Sequence, residues 1–343
     1  RGVRLKTEVD VKHITLLAED LSGLVAAVPA GSRYPALERI LSRGHANCLD
    51  VPDANHLRFA LYGIEPDGDV PVAALTHVND SRKRKKNNYY WLRTDPVTMW
   101  ADMARVFMTS YGFADLNPFE RNELENCIRT VLEEEGIDLH ADHPERWCIA
   151  LNEPLEFQFT PLERALGMDV AEALPDHPEA RYWRRVLNEI QVALHNCPVN
   201  VRRRQNGQQE VNSVWFWGGG FIPESAPHDL FDTVYSDHPV SRGLAIINDC
   251  KLKPQGEALR PDFGGDGRTV LVDWCVATRN AVAELNRLEN LASALLEQVA
   301  SGEVILSLFD GSGAGREFNR RSGRRFWRPI RPLARSLTLP SAA

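Results

Sequence analysis

The sequence predicts an α/β fold: a core sheet of parallel strands flanked by helices, with an inserted α+β subdomain. Three observations carry this. Strand and helix patterns alternate over the first 75 residues, as they do where crossover helices join parallel strands. Two apolar runs, residues 11–18 (VKHITLLA) and 304–309 (VILSLF), have the hydrophobicity of strands covered on both faces. Between roughly Ala74 and Pro175 the alternation gives way to charge runs, a long helical segment and isolated strand patterns. The expected division is a core of residues 1–75 and 176–343 around an insertion of 76–175.

Taken in order, residues 11–18 form a strand ending at Glu19-Asp20, and 21–31 a turn-rich connection. Residues 35–43 (PALERILSR) form an amphipathic helix begun by proline and stopped by Gly44. A second strand is expected at 47–51 and a helix at 56–62, capped by Gly63. In the insertion, 89–93 and 145–152 read as strands; 117–135 and 161–174 read as helices, the first closed by Gly136. The core resumes with a helix over 179–196, where Trp183, Val186, Leu187, Ile190 and Leu194 recur at helical spacing. Pro198 forbids its continuation, so a loop is expected before the β-branched and aromatic strand 211–217 and its closing glycines. Residues 240–248 and 269–276 are further elements. A long amphipathic helix over 279–300 precedes strand 304–309, which enters the glycine-rich stretch Asp310 to Gly315.

Apolar content of 43% and charged content of 25% are ordinary for a globular chain of 343 residues. No run is long enough for a transmembrane helix, and the first residues show no signal-peptide core. The six cysteines are scattered without metal spacing and read as reduced thiols of a cytoplasmic protein. A net charge of −7 argues against a nucleic-acid partner.

The motif with most information is Pro198-Val199-Asn200-Val201-Arg202-Arg203, a spacer containing Gly207, then Val211-Asn212-Ser213-Val214-Trp215-Phe216-Trp217-Gly218-Gly219-Gly220. This pattern resembles the archaeal-type cofactor-independent phosphoglycerate mutases of the alkaline phosphatase superfamily. It is more similar still to bacterial relatives of the regulator-of-pathogenicity-factors E type. The resemblance implies an alkaline-phosphatase-like core. In active members it implies two divalent metals that activate a Ser or Thr nucleophile, held by Asp and His at strand ends.

Asp20 takes the place of the first ligand, although a strand-end Asp also reads as a cap. Residues 51–64 resemble the nucleophile motif G-S-D-x-A-H-L-x-x-L-G-Y, with Pro52 where the serine belongs; proline has no hydroxyl and cannot attack phosphorus. Asp53 and His56 match that motif, and equally suit an N-cap and a packed helix residue. Residues 306–316 align with V-H-V-E-A-P-D-E-A-G-H, which sets Ser312 and Arg316 at the two ligand positions. Arginine repels a cation. The D-H-S-T-P ligand motif has no counterpart in the tail.

The resemblance therefore implies a protein with no catalytic residues and no metal, which binds a phosphorylated or acidic ligand or a protein partner. The ligand site would comprise Asn200, Arg203, Asn212, Gly218, Gly219, Gly220 and Arg316, the arginine placing a fixed charge where a metal sat. The alternative is an active Mn- or Zn-dependent mutase or phosphatase using Asp20, Asp53, His56 and Asp310.

Other features carry less. Ser213, Ser307 and Ser312 sit in no nucleophile elbow. Asp310 to Gly315 lacks the G-K-[ST] ending of a phosphate loop. His140, Asp142 and His143 read as a solvated loop, because no third ligand follows at a defined spacing. The basic run Arg82 to Lys86 reads as a solvated loop. The tail Arg320 to Arg328 reads as a docking surface for an acidic partner, or as a segment that folds back through Phe326 and Trp327.

Overall fold

The computed structural model describes residues 11–65, 69–81, 88–103, 105–113, 115–224, 230–259, 263, 267–276, 278 and 280–337. The chain runs β1 (Lys12–Ala18), α1 (Leu21–Ala26), α2 (Pro35–Arg43), β2 (His45–Ala46), α3 (Ala54–Leu61) and α4 (Val72–Ser81). Then come β3 (Tyr90–Asp102), β4 (Arg105–Tyr111), α5 (Pro118–Glu134), β5 (Asp138–His140), β6 (Cys148–Leu151), α6 (Leu162–Ala165) and α7 (Val170–Ala173). α8 (Ala180–Asn196), α9 (Pro198–Gln205), β7 (Ser213–Gly220), β8 (Thr233–Ser236), α10 (Pro239–Ile247) and β9 (Lys251–Lys253) follow. The chain closes with β10 (Thr269–Trp274), α11 (Ala281–Ser301), β11 (Val304–Asp310), β12 (Gly315–Phe318), α12 (Arg320–Gly323) and α13 (Leu333–Leu337).

Two compact units result, one of Arg1–Glu65 with Ser225–Ala343, the other of Pro66–Glu224. The first is a seven-stranded sheet of order β2-β12-β11-β1-β10-β8-β9. β1, β10, β11, β8 and β9 pair in parallel, and β12 and β2 add antiparallel edges. Alternation along β1 divides its side chains between two faces. Ile14, Leu16 and Ala18 join a large core with Leu37 and Ile40 of α2 and with Leu285, Leu288, Leu291 and Leu295 of α11. Leu17 faces the other way, onto Leu57 of α3 and Phe309. The expected class, an α/β core flanked by helices with an α+β insertion, is the one observed.

The second unit is antiparallel. β3 pairs with β6 over Tyr90 to Arg93, with β7 over Trp91 to Val97, and with β4 over Val97 to Asp102. α5 and α8 pack together. α5 begins with a capping box, in which Asn117 receives the N–H of Glu120 and the Glu120 carboxylate receives that of Asn117.

Several local expectations are corrected. The unit boundary falls near residue 224 rather than 176, because the aromatic strand 213–220 is antiparallel to β3 and not a strand of the parallel sheet. Pro198 ends one helix but starts another: it is the first residue of α9, where its missing N–H costs nothing. The helix expected over 161–174 is two short helices parted by Gly167, whose φ is +78°. Residues 47–51 are not a strand; Asn47 and Leu49 bond instead to the carbonyls of Gly315 and Gly313. The glycines at 218–220 lie within β7 rather than in a turn after it.

None of the six cysteines is in a disulfide. Burial, then the adjacent Cys197 thiol, pushes Cys127 up to about 12; burial does the same for Cys148. Because the thiolate is the nucleophile, both should label with a maleimide at pH 7.5 at least ~100-fold more slowly than exposed Cys48. Peptide mass spectrometry after a short pulse checks this. No helix among the described residues is long and apolar enough to cross a membrane.

Candidate functional site

β1, β10 and β11 end side by side, with Ala18 in register with both Trp274 and Asp310. The segments that leave these strands line a cavity of about 610 Å³ formed by Glu19, Asp20, Pro52, Asp53, Ala54, Cys275, Val276, Gly311 and Ser312. Carboxyl ends of parallel strands are where ligands sit in open α/β sheets. Gly311 is required by close approach: its N–H donates to the Glu19 carbonyl at 3.1 Å, and a Cβ there would lie 2.4 Å from that oxygen.

Behind this cavity is a buried cation. Arg58, on α3, is wholly shielded from solvent, as is Asp273 on β10. Its Nε donates to Asp273 Oδ2 at 2.8 Å and its Nη2 to Oδ1 at 3.2 Å. Nη2 also donates to Glu19 at 2.6 Å, and Nη1 to Asn55, one turn earlier on the helix, at 3.1 Å. Burial alone would raise the Asp273 carboxyl, but the Arg58 guanidinium, assisted by His238, outweighs it and holds the carboxyl below its ordinary value. Neither Arg58 nor Asp273 was singled out from the sequence. Their signal is a lone Arg between buried Leu57 and Phe59, and a lone Asp inside the apolar strand TVLVDW.

The expected metal set is dispersed in its bonding. Asp53 caps α3: it accepts from the His56 N–H at 2.9 Å and pairs with His56 Nδ1 at 2.9 Å. Burial opposes ionisation of Asp53, yet these His56 contacts lower its pKa. Asp310 accepts from Ser312 N–H (3.0 Å), Ser312 Oγ (2.7 Å) and Ala314 N–H (3.1 Å), which shapes the loop after β11. Asp20 is exposed at the start of α1 and makes no capping bond. Arg316 lies on β12 and donates to the Gly315 carbonyl at 2.8 Å, and it is not among the residues lining the cavity. Among the described residues, Arg58 places a fixed positive charge at these strand ends.

The rest of the expected ligand set lies in the second unit and is engaged internally. Asn200 is buried and donates to the carbonyls of Leu194 (2.8 Å) and Val211 (2.7 Å) while accepting from Val211 N–H (3.1 Å). It thereby ties the end of α8 to the entry of β7. Buried Arg203 donates to the Gln209 carbonyl (2.6 Å) and to Asp115 (2.5 Å). Asn212 bridges the N–H and C=O of Met99, at 2.8 and 2.7 Å, beside the register shift in β3. A Cβ on Gly219 would meet Tyr90 at 2.3 Å and one on Gly220 would meet Pro71 at 2.4 Å. The glycines admit protein neighbours. Gly218 has φ +61°, and a Cβ there would lie 3.0 Å from Val72 Cβ, so its replacement by alanine should cost more than about 1 kcal/mol, read as a shifted urea midpoint.

A cluster of metal-ligand type forms elsewhere in this unit. The side-chain ligand atoms of His77 on α4, His140 at the end of β5, and Asp142 lie within 4.8 Å of one another. His143 turns aside to accept the N–H of Glu145 at 3.1 Å. The third residue that the local spacing lacked is His77, distant in sequence. The basic run 82–86 lies outside the described residues. In the tail, Arg325 and Arg328 donate to the carbonyls of Arg43 and Gly44, and Leu333 is buried. Phe326 and Trp327 stay 82% and 66% exposed, so the tail folds back through arginines and not through its aromatic pair.

No family model matches the chain. Its sequence is similar to 2,3-bisphosphoglycerate-independent phosphoglycerate mutases. It is 32% identical to that of Methanosarcina barkeri over 132 residues, 37% of this chain and 33% of the relative. It is 23% identical to that of Methanosarcina mazei over 208 residues, 56% and 50% of the two chains. A probable mutase of Geobacter sulfurreducens is 25% identical over 162 residues, 45% and 40% of the two. The matches thus span between a third and a half of these relatives' length. Among solved structures, the PH0037 protein from Pyrococcus horikoshii aligns with a TM-score of 0.56 and 11% identity over 90% of this chain and 86% of that one. The cofactor-independent phosphoglycerate mutase from Thermoplasma acidophilum aligns with a TM-score of 0.46 and 15% identity over 90% and 89%. The sequence likeness is to the mutases; the PH0037 likeness is one of fold.

Proposed function

We propose that this chain is a mutase-like protein that does not turn over phosphoglycerate, and that it acts by binding a protein partner, as expected of a regulatory relative of the pathogenicity-factor type. The observation that carries this is Arg58. Its buried guanidinium holds Asp273 and Glu19, so a fixed cation stands at the strand ends beside the cavity, where it would repel a metal ion. The donors present do not fit a two-metal centre. Asp310 is engaged by three donors, Asp53 by His56, and Pro52 offers no nucleophile on the cavity wall.

A phosphorylated ligand is less well served. Apart from Arg316, the residues expected to hold it lie in the second unit, and the cavity of the first presents Glu19, Asp20 and Asp53 to any anion. The tail suits a partner better: Phe326 and Trp327 project among arginines, an arrangement that fits an acidic protein surface.

The test is a coupled assay of 3-phosphoglycerate isomerisation with Mn²⁺ in excess, paired with a thermal-shift titration of 3-phosphoglycerate. Neither turnover nor a shift is expected. Turnover abolished by Asp53→Asn overturns the proposal in favour of a rearranged active site. A saturable shift without turnover reassigns the ligand to a phosphorylated small molecule.

A further inference from the structure

We propose that His77, His140 and Asp142 bind one transition-metal ion of the Zn²⁺ class, with a coordination position left open to water. Two imidazoles and a carboxylate are donors that favour Zn²⁺, Co²⁺ or Ni²⁺ over the all-oxygen ions Mg²⁺ and Ca²⁺. The atoms are close to the required separation. His77 Nδ1 lies 3.9 Å from Asp142 Oδ2, and all three ligand atoms fall within 4.8 Å. A tetrahedral ion with bonds of about 2.0–2.1 Å sets its ligands roughly 3.3–3.4 Å apart, so inward movement of about an ångström completes the site.

The surroundings hold the two imidazoles and leave the carboxylate free to adjust. His77 is buried and stacked face-on against Trp91, ring centroids 3.6 Å apart and planes 17° from parallel. His140 meets the same indole edge-on at 4.9 Å and meets His77 edge-on at 5.3 Å. One tryptophan therefore orients both rings. Asp142 is 44% exposed, so its side chain can swing inward and the ion has a path from solvent. The neighbouring guanidinium of Arg146 is already taken by Asp80, at 2.5 and 3.0 Å, and does not compete as the partner of Asp142. Three ligands from α4, β5 and the loop after it would clamp that loop to the helix. Three protein ligands with an open fourth position is the arrangement of exchangeable rather than closed structural sites.

The full chain, stripped with chelator and desalted, would be titrated with Co²⁺ while its visible absorption is followed. Zn²⁺ retained after gel filtration would be counted by mass spectrometry. One metal per chain is expected, with cobalt bands bleached by added Zn²⁺. His140→Gln and Asp142→Asn should each weaken binding by at least the ~10–100-fold that loss of a supporting residue alone produces. Circular dichroism confirms that each variant is folded, and exposed Asp142 is the safer of the two substitutions. Folded wild type that takes up no Co²⁺ overturns this proposal and leaves the function proposed above intact. Metal retained in both variants but lost on Asp53→Asn would place the ion at the strand ends of the first unit and overturn both proposals.

Discussion

Replacing Arg58 by methionine is expected to lower the stability of the first unit by about 3–5 kcal/mol, the range found when one partner of a buried ion pair is removed. Methionine keeps much of the volume but leaves Asp273 in a site without solvent and without its bidentate partner. The double replacement Arg58→Met with Asp273→Leu should recover much of the loss, because no buried charge is then stranded. Hydrogen exchange read by peptide locates the effect: deprotection should concentrate in β1, β10 and α3. A loss below about 1 kcal/mol, as expected of an exposed pair, would contradict the buried assignment. The pair also gives a pH signature. The Asp273 carboxyl titrates lower in the folded chain than its unfolded value of ~3.9, so its contribution is complete above that pH and is lost as pH falls through the folded value. Wild type should therefore destabilise more steeply below about pH 4 than the double variant.

Asp95→Ala should have an effect of similar size, about 3–5 kcal/mol, in the second unit. Asp95 on β3 is 2% exposed and collects four donors. Oδ1 accepts from Arg93 Nη2 at 2.5 Å, Arg93 Nε at 3.1 Å and the Trp147 N–H at 3.2 Å; Oδ2 accepts from Trp217 Nε1 at 2.7 Å. Truncation strands the buried Arg93 guanidinium, which Thr76 Oγ1 at 3.2 Å cannot neutralise. Asp95→Asn keeps an acceptor for Trp217 and should lie between wild type and alanine. Urea melts report the midpoint, and exchange in β3 and β7 reports the place. If Asn and Ala cost the same, the charge on Asp95, and not its bond to Trp217, holds the network; an Asn variant as stable as wild type would contradict a role for the charge.

Much of the first unit was legible because each of its elements carries its own periodicity. β1, α2, α3, α11 and β11 are apolar runs or amphipathic stretches with caps or breakers, and the structure has them within two residues of expectation. What failed was what depends on pairing. The strand 213–220 is hydrophobic on both faces, as a central parallel strand would be, and nothing local reveals that its partner is β3. The same holds for the site. Asp20, Asp53 and Asp310 were visible as strand-end and cap acids, whereas Arg58–Asp273 and His77–His140 join residues far apart in sequence. Asn200, Arg203 and Asn212 were read as ligand groups because they match the motif of the resembled mutases; in the structure they bond to backbone and, for Arg203, also to Asp115.

The position of β1 between β10 and β11 has a consequence for synthesis. β1 is internal to its sheet, and both of its neighbours are encoded beyond residue 268. At ~5–20 residues per second, β1 stays without partners for on the order of ten seconds to a minute. Over that interval it is an apolar segment with two bare hydrogen-bonding edges, the form most prone to pair with other chains. The second unit is contiguous and complete by residue 224, so it can fold while β1 still waits. Chaperone demand should therefore track the first unit, and a chain truncated before β10 should aggregate through β1.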